Sequence, residues 1–109
     1  MSKPTDLIQG TLDLLVLKIL ALEPLHGWAI GQRIRQMSNQ ILQVGPGSLY
    51  PALHKLEQAG WIKAEWSVNE DGRRVKFYSI TRDGRKRFEQ EAVDWKRLSG
   101  AISSIVFES

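Results

Sequence analysis

The eleven residues from Leu12 to Leu22 limit the fold more than any other part of this sequence. Eight of them are Leu, Ile or Val, and only Asp13 and Lys18 are charged. Leu12, Leu15, Ile19 and Leu22 recur at helical spacing and form one stripe. Val16 and Leu20 widen it, while Leu14 and Leu17 lie off it. Thr11 stands where a side chain accepts a backbone N–H of the first turn, and Pro24 ends the helix. A helix apolar on this many sides needs cover on more than one of them. A chain of 109 residues builds a modest core, so part of that cover is expected from a second chain. Lys18 and Glu23 break the run well short of a membrane span.

Two more helices and a hairpin follow. Gly27 to Ser38 predicts a helix with Trp28, Ile30, Ile34 and Met37 as its apolar set. Ser38-Asn39-Gln40 closes it, and Val44-Gly45-Pro46-Gly47-Ser48 is a turn-rich link. Ser48 to Ala59 predicts a third helix, with Ser48 as N-cap and Pro51 in the first turn, where no intrahelical N–H bond is lost. Leu49, Leu53 and Leu56, with Ala52 beside them, form its core stripe, and Gly60 sits at the C-terminal cap. Ile62, Ala64, Trp66 and Val68 then alternate with Lys63, Glu65 and Ser67, which predicts a strand from Trp61 to Val68. Asn69-Glu70-Asp71-Gly72 is a hairpin turn, and Val75 to Ile80 returns. Thr81 caps a long last helix, in whose first turn Gly84 is a weak point. Ala92, Trp95, Leu98, Ile102 and Ile105 follow a nearly heptad seam along it. About 20 residues span roughly 30 Å, so its far end outruns the domain's own core.

The fold class that results is mostly α with a small β-hairpin. A winged helix-turn-helix occupies residues 1–80 and a long C-terminal helix residues 81–109. The absence of cysteine excludes disulfides, thiolate nucleophiles and thiolate-ligated metals. His26 and His54 are the only histidines and stand in different elements, so no metal and no other cofactor is expected. Ser48 has no histidine beside it, and Gly45-Pro46-Gly47 does not follow a strand as a phosphate loop does, so no enzyme is expected. The polar start Met-Ser-Lys-Pro-Thr-Asp lacks the build of a signal peptide, and a cytoplasmic protein without a membrane partner is expected. The net charge of +3 permits a nucleic-acid partner without arguing for one.

Six blocks of residues carry a resemblance. Gly-Thr-Leu-Asp-Leu-Leu-Val-Leu (10–17), Pro-Leu-His-Gly-Trp-Ala-Ile (24–30), Gly-Ser-Leu-Tyr-Pro-Ala-Leu-His-Lys-Leu-Glu (47–57), Ala-Gly-Trp-Ile (59–62) and Arg-Arg-Val-Lys-Phe-Tyr (73–78), with Ile-Thr-Arg-Asp-Gly (80–84) after them, resemble the PadR-type bacterial transcriptional regulators. The likeness covers about residues 5 to 88, and Ser-Leu-Tyr-Pro-Ala-Leu is its most specific stretch. The closing segment resembles the short form of the family, with a single C-terminal helix.

The resemblance implies a sequence-specific, homodimeric repressor that binds double-stranded operator DNA. The third helix would read the major groove, with Ser48, Tyr50, His54 and Lys55 on the face that the leucines leave free. The wing carries Arg73, Arg74 and Lys76, three cations in four residues, suited to a phosphate backbone or a minor groove. Leu14 and Leu17 on the first helix, with Trp95, Leu98, Ile102 and Ile105 on the last, are the expected dimer interface. The family also implies that a small aromatic or drug-like effector can act there, near Trp95 and Leu98. Arg82, Arg85, Lys86 and Arg87 are read as a solvated face, because Glu89 and Glu91 follow closely. The alternative is a winged helix that serves as a protein-interaction module without touching DNA.

Overall fold

The computed structural model describes residues 11–108. Gly10 and the polar N-terminal residues read above lie outside them. The chain runs α1 (Leu12–Leu22), β1 (Leu25–His26), α2 (Gly27–Met37), α3 (Pro46–Gln58), β2 (Ile62–Val68), β3 (Arg74–Ile80) and α4 (Arg82–Val106). The expected architecture is observed, with one addition. Leu25 and His26 pair antiparallel with Tyr78 and Phe77, so the hairpin becomes a three-stranded sheet in the order β1-β3-β2. Two residues are too few to leave a periodic signal in a sequence.

The core is built on α1. Leu12, Val16, Leu17, Ile19 and Leu20 are buried, and they meet Ile30 and Ile34 of α2, Leu49, Ala52, Leu53 and Leu56 of α3, and Ile62 and Tyr78 of the sheet. The buried face is therefore rotated from the predicted stripe. Leu22 is half exposed, and Leu17 is fully buried within its own chain, so Leu17 cannot form part of a surface for a partner. Thr11 starts α1 through its backbone carbonyl, which accepts the Leu15 N–H at 3.1 Å, and not through its side chain. On α2 the apolar set is narrower than predicted: Trp28 and Met37 lie in solvent, 66 % and 54 % exposed. His26 caps α2, its Nδ1 accepting the Ala29 N–H at 3.3 Å.

The start of α3 differs from expectation. Gly45, not Ser48, is the N-cap, and its carbonyl accepts the N–H groups of Ser48 and Leu49. Pro46 is the reason, since its fixed φ and missing N–H suit the first helical position. Pro51 consequently falls in the second turn, where it removes the bond its position would have made to the Gly47 carbonyl. The helix ends in a Schellman arrangement, Trp61 N–H to Leu56 carbonyl and Gly60 N–H to Glu57 carbonyl, both at 3.0 Å. The left-handed φ of +81° at Gly60 makes that turn possible.

The same corner anchors α4. The Thr81 hydroxyl donates to the Gly60 carbonyl at 2.7 Å and accepts the Gly84 N–H at 3.0 Å, and the Thr81 N–H donates to the Trp61 carbonyl. Gly84, which looked like a weak point, is the one fully buried residue of α4 among those described. A Cβ there would collide with the Trp61 carbonyl oxygen. Beyond this contact, Phe88 touches the core, the middle of the 25-residue helix runs beside α1, where Glu91, Trp95 and Leu98 share one hollow with Thr11 and Leu14, and the extents are 57 × 30 × 20 Å.

Two outcomes follow from this packing. Gly84→Ala is expected to cost about 1–3 kcal/mol through overpacking, read as a fall in Tm of about 4–8 °C per kcal/mol for a chain of this size. Unchanged Tm would contradict the close approach. Burial first, and then Glu57 and Tyr50, raise the Tyr78 phenol above its ordinary value. Its folded state thus holds the proton longer than the unfolded chain. The associated stability is complete below about pH 10 and is lost as pH climbs from there through the raised folded value. Urea unfolding at alkaline pH should show a shallower decline for Tyr78→Phe than for the parent.

Candidate nucleic-acid interface

The outer ridge of α3 is set by what its leucines bury. With Leu49, Ala52, Leu53 and Leu56 inward, Gly47, Pro51, His54 and Gln58 lie outermost at helical spacing. His54 is exposed, as expected of a residue facing a groove. Two clefts flank this ridge. On the α1 side, Ser48, Pro51 and Lys55 line a hollow of about 190 Å³ with Leu12 and Asp13. On the α2 side, Tyr50 walls a larger one of about 460 Å³ with Trp28, Gln32, Arg35 and Gln43.

The predicted residues separate into free and tethered groups. Ser48 is half-buried inside the first turn. Tyr50 is 46 % exposed, with its ring laid against Gly27 at the head of α2. Lys55 does not stand free: its Nζ is 2.6 Å from Asp13 Oδ2 on α1. Lys76 is turned back onto the domain, 3.7 Å from Glu57 Oε1 and over the Tyr78 ring. Both pairings escape a reading of one element alone. An expectation from one element cannot see the carboxylate that another element brings alongside.

The wing separates its two arginines. The Asn69 side chain accepts the N–H groups of Asp71 and Arg73 and shapes the tip. Arg74 is opposite Val68 in the ladder, and its guanidinium lies 4.8 Å from the centre of the Trp66 ring. Arg73 lies just before β3, at the end of the turn, and is exposed. Neither arginine pairs with a carboxylate among the described residues. Arg82, Arg85 and Lys86 stay exposed on α4, in keeping with a solvated face, while Arg87 pairs with Glu91 at 3.6 Å and covers Trp61.

Sequence reasoning missed Trp28, Arg35 and Gln43 around the α2 cleft. Helical spacing with Ile30, Ile34 and Met37 puts Trp28 in the apolar set of α2, but in the structure it is 66 % exposed. Its stacking on His26, with centroids 6.2 Å apart, shows the different role it has at the helix head.

The fold and this surface define a winged helix-turn-helix protein whose helix α3 and hairpin share one open side. Residues 16–90 match the family described as Transcriptional regulator PadR-like. Over 90 residues the chain is 44 % identical to an uncharacterized 37.1 kDa protein of transposon Tn4556 from Streptomyces fradiae; it covers 83 % of this chain but spans only about a quarter (24 %) of that protein. Among solved structures, a transcriptional regulator from Clostridium thermocellum is similar with a TM-score of 0.84 and 29 % identity, covering 93 % of this chain and 98 % of the other. A PadR family transcriptional regulator from Eggerthella lenta is similar at a TM-score of 0.80 and 25 % identity, over 95 % and 88 % of the two chains. The chain belongs to the PadR-like family of transcriptional regulators, which are DNA-binding regulators and not enzymes. No helix among the described residues is long and apolar enough to cross a membrane.

The Asp13–Lys55 pair generates a prediction. Lys55 is 65 % exposed at its side chain, so the pair itself adds at most about 1 kcal/mol of stability. Asp13→Asn should leave Tm nearly unchanged yet tighten DNA binding by releasing a cation at the α3 ridge. In gel shifts, that gain should vanish when Lys55→Ala is also present; a gain that survives in the double variant would mean Lys55 is not the group released.

Proposed function

We propose that the chain represses transcription as a homodimer, with residues 1–80 reading DNA and residues 81–109 joining two copies. The observation that carries this reading is the uncovered apolar side of α4. Trp95, Leu98, Ile102 and Ile105 remain 46, 56, 50 and 80 % exposed, at the seam spacing of a helix that expects another helix. Thr11 and Leu14 of α1 border Trp95 and Leu98 on one side, and the stripe stays exposed beyond them. A second copy related by a two-fold axis would cover the stripe and present two α3 helices at a fixed spacing on a partly palindromic operator. Occupied promoter DNA then blocks polymerase, and repression needs no further chemistry.

On this reading Ser48, Tyr50 and His54 face the major groove, Arg74 and Arg73 meet DNA from the wing, and Lys55 joins them once released from Asp13. Leu14, Trp95 and Leu98 border one hollow of about 270 Å³ between α1 and α4, together with Thr11, Glu91 and Asp94. A small aromatic effector held there would sit at the proposed dimer interface and act by changing how the two copies meet. Leu14 takes the place that the buried Leu17 cannot.

Sedimentation at micromolar concentration tests the assembly, and a gel shift on the promoter of its own gene tests the target. The parent is expected to sediment as a dimer. Trp95→Ala should lower the apparent mass and weaken binding to a full palindrome more than to a single half-site. A well-folded parent monomer at those concentrations would overturn the dimer, and with it the effector site.

A further inference from the structure

We propose that Trp66 is a positioning residue of the wing, which holds Arg74 ready for the minor groove and makes A·T-rich flanks of the operator a determinant of binding. This rests on the DNA-binding role of the family and goes beyond it to a specificity carried by one side chain.

The hairpin register carries the argument. The cross-strand pairs Ile62 with Ile80, Ala64 with Tyr78, Trp66 with Lys76 and Val68 with Arg74 all lie on one face. At the base of the hairpin this face is core, since Ile62 and Tyr78 are buried. Further out, Lys76 reaches Glu57 near the end of α3, so this is the face on which α3 lies. Trp66, Val68 and Arg74 continue it past the helix. A duplex docked on α3 would meet them next.

Burial does not account for this stretch. Trp66 is 60 % and Val68 64 % exposed, so an indole and an isopropyl group face water on the outer half of the wing. The ring does have one partner, the Arg74 guanidinium at 4.8 Å. Stacking restricts a long, otherwise mobile side chain while the N–H groups at the edge of the guanidinium stay free to donate. Lys76, by contrast, is held by Glu57.

A preoriented guanidinium beside an apolar wall fits one kind of DNA surface well. The minor groove of A·T tracts is narrow, strongly negative and lined only by acceptors, the adenine N3 and thymine O2. A G·C pair puts the guanine amino donor in the path of the arginine and widens the groove. Trp66 would line the sugar edges while Arg74 enters.

Inosine separates this reading from its rivals, because an I·C pair resembles G·C in the major groove but lacks the minor-groove amino group. A duplex selected from a random pool by the parent protein is remade with A·T, G·C or I·C in the flanks beneath the wing, and affinities are measured by fluorescence anisotropy. The parent is expected to bind A·T and I·C flanks about tenfold more tightly than G·C, within the range of one good base contact. Trp66→Ala should reduce that preference to about twofold or less, while discrimination among changes in the α3 half-site persists. Trp66→Phe should keep most of it. Equal binding to all three flanks by the parent overturns the proposal, as does a Trp66→Ala variant that retains the preference or weakens binding to every flank alike. Failure of the parent to retain any duplex would overturn the DNA reading itself.

Discussion

The carbonyl of Trp61 is the point on which the arrangement turns. It accepts the Thr81 N–H, and Gly84 of α4 rests directly against it. Trp61 itself follows the left-handed Gly60 that ends α3, and its N–H closes that helix on Leu56. One residue therefore ties the end of α3, the root of the wing and the head of α4 together. The Arg87 guanidinium over the Trp61 ring adds an outer cover. Each of these contacts is small, about 1 kcal/mol for a hydrogen bond, but they share atoms and fail together. Because the joint is short and its glycine is buried, α4 cannot swing freely about the winged domain.

The core explains why the domain needs so little else. Thirteen buried apolar residues, drawn from three helices and the sheet, form one cluster around α1. That cluster uses the inner sides of α1, α2, α3 and the sheet and takes none of its members from α4. It leaves α3 with a free ridge, the hairpin with a free outer half, and α4 with a free seam. These three surfaces lie outside the buried cluster.

How much of this was legible in the sequence follows from the range of each signal. The order of elements was readable because each carries its own period and its own stop, such as Pro24, Gly60 or Asp71-Gly72. The stripe Leu49, Leu53 and Leu56 was readable too, since both sides of α3 differ sharply in polarity. Errors arose where two elements decide together. Leu17 lies off the helical stripe of α1, yet the core cluster buries it completely. Pro46 shifted the start of α3 by two residues because a proline at the first helical position outweighs a good capping serine. Lys55 and Lys76 looked free because Asp13 and Glu57 are distant in sequence. Gly84 looked like a defect because its use depends on a carbonyl 23 residues earlier.

The charge of the reading surface follows the same logic. A net +3 is small for a protein that binds a polyanion, and Asp13 and Glu57 hold two of the interface lysines. Arg73 and Arg74 at the wing and Arg35 beside the α2 cleft have no carboxylate partner among the described residues, and Arg74 stacks on Trp66. Nonspecific attraction to phosphate is thereby kept modest, because fewer free cations release fewer counterions. Affinity must then come from groups that fit a particular duplex, or from two winged domains binding at once. The second route makes affinity depend on the link between copies. A loosely held α4 would waste it, since two reading heads that swing independently gain little from being joined. In the proposed dimer, the buried glycine against Trp61 and the uncovered seam of α4 would act together: the first holds α4 close against the winged domain, and the second would supply the face shared with a second chain.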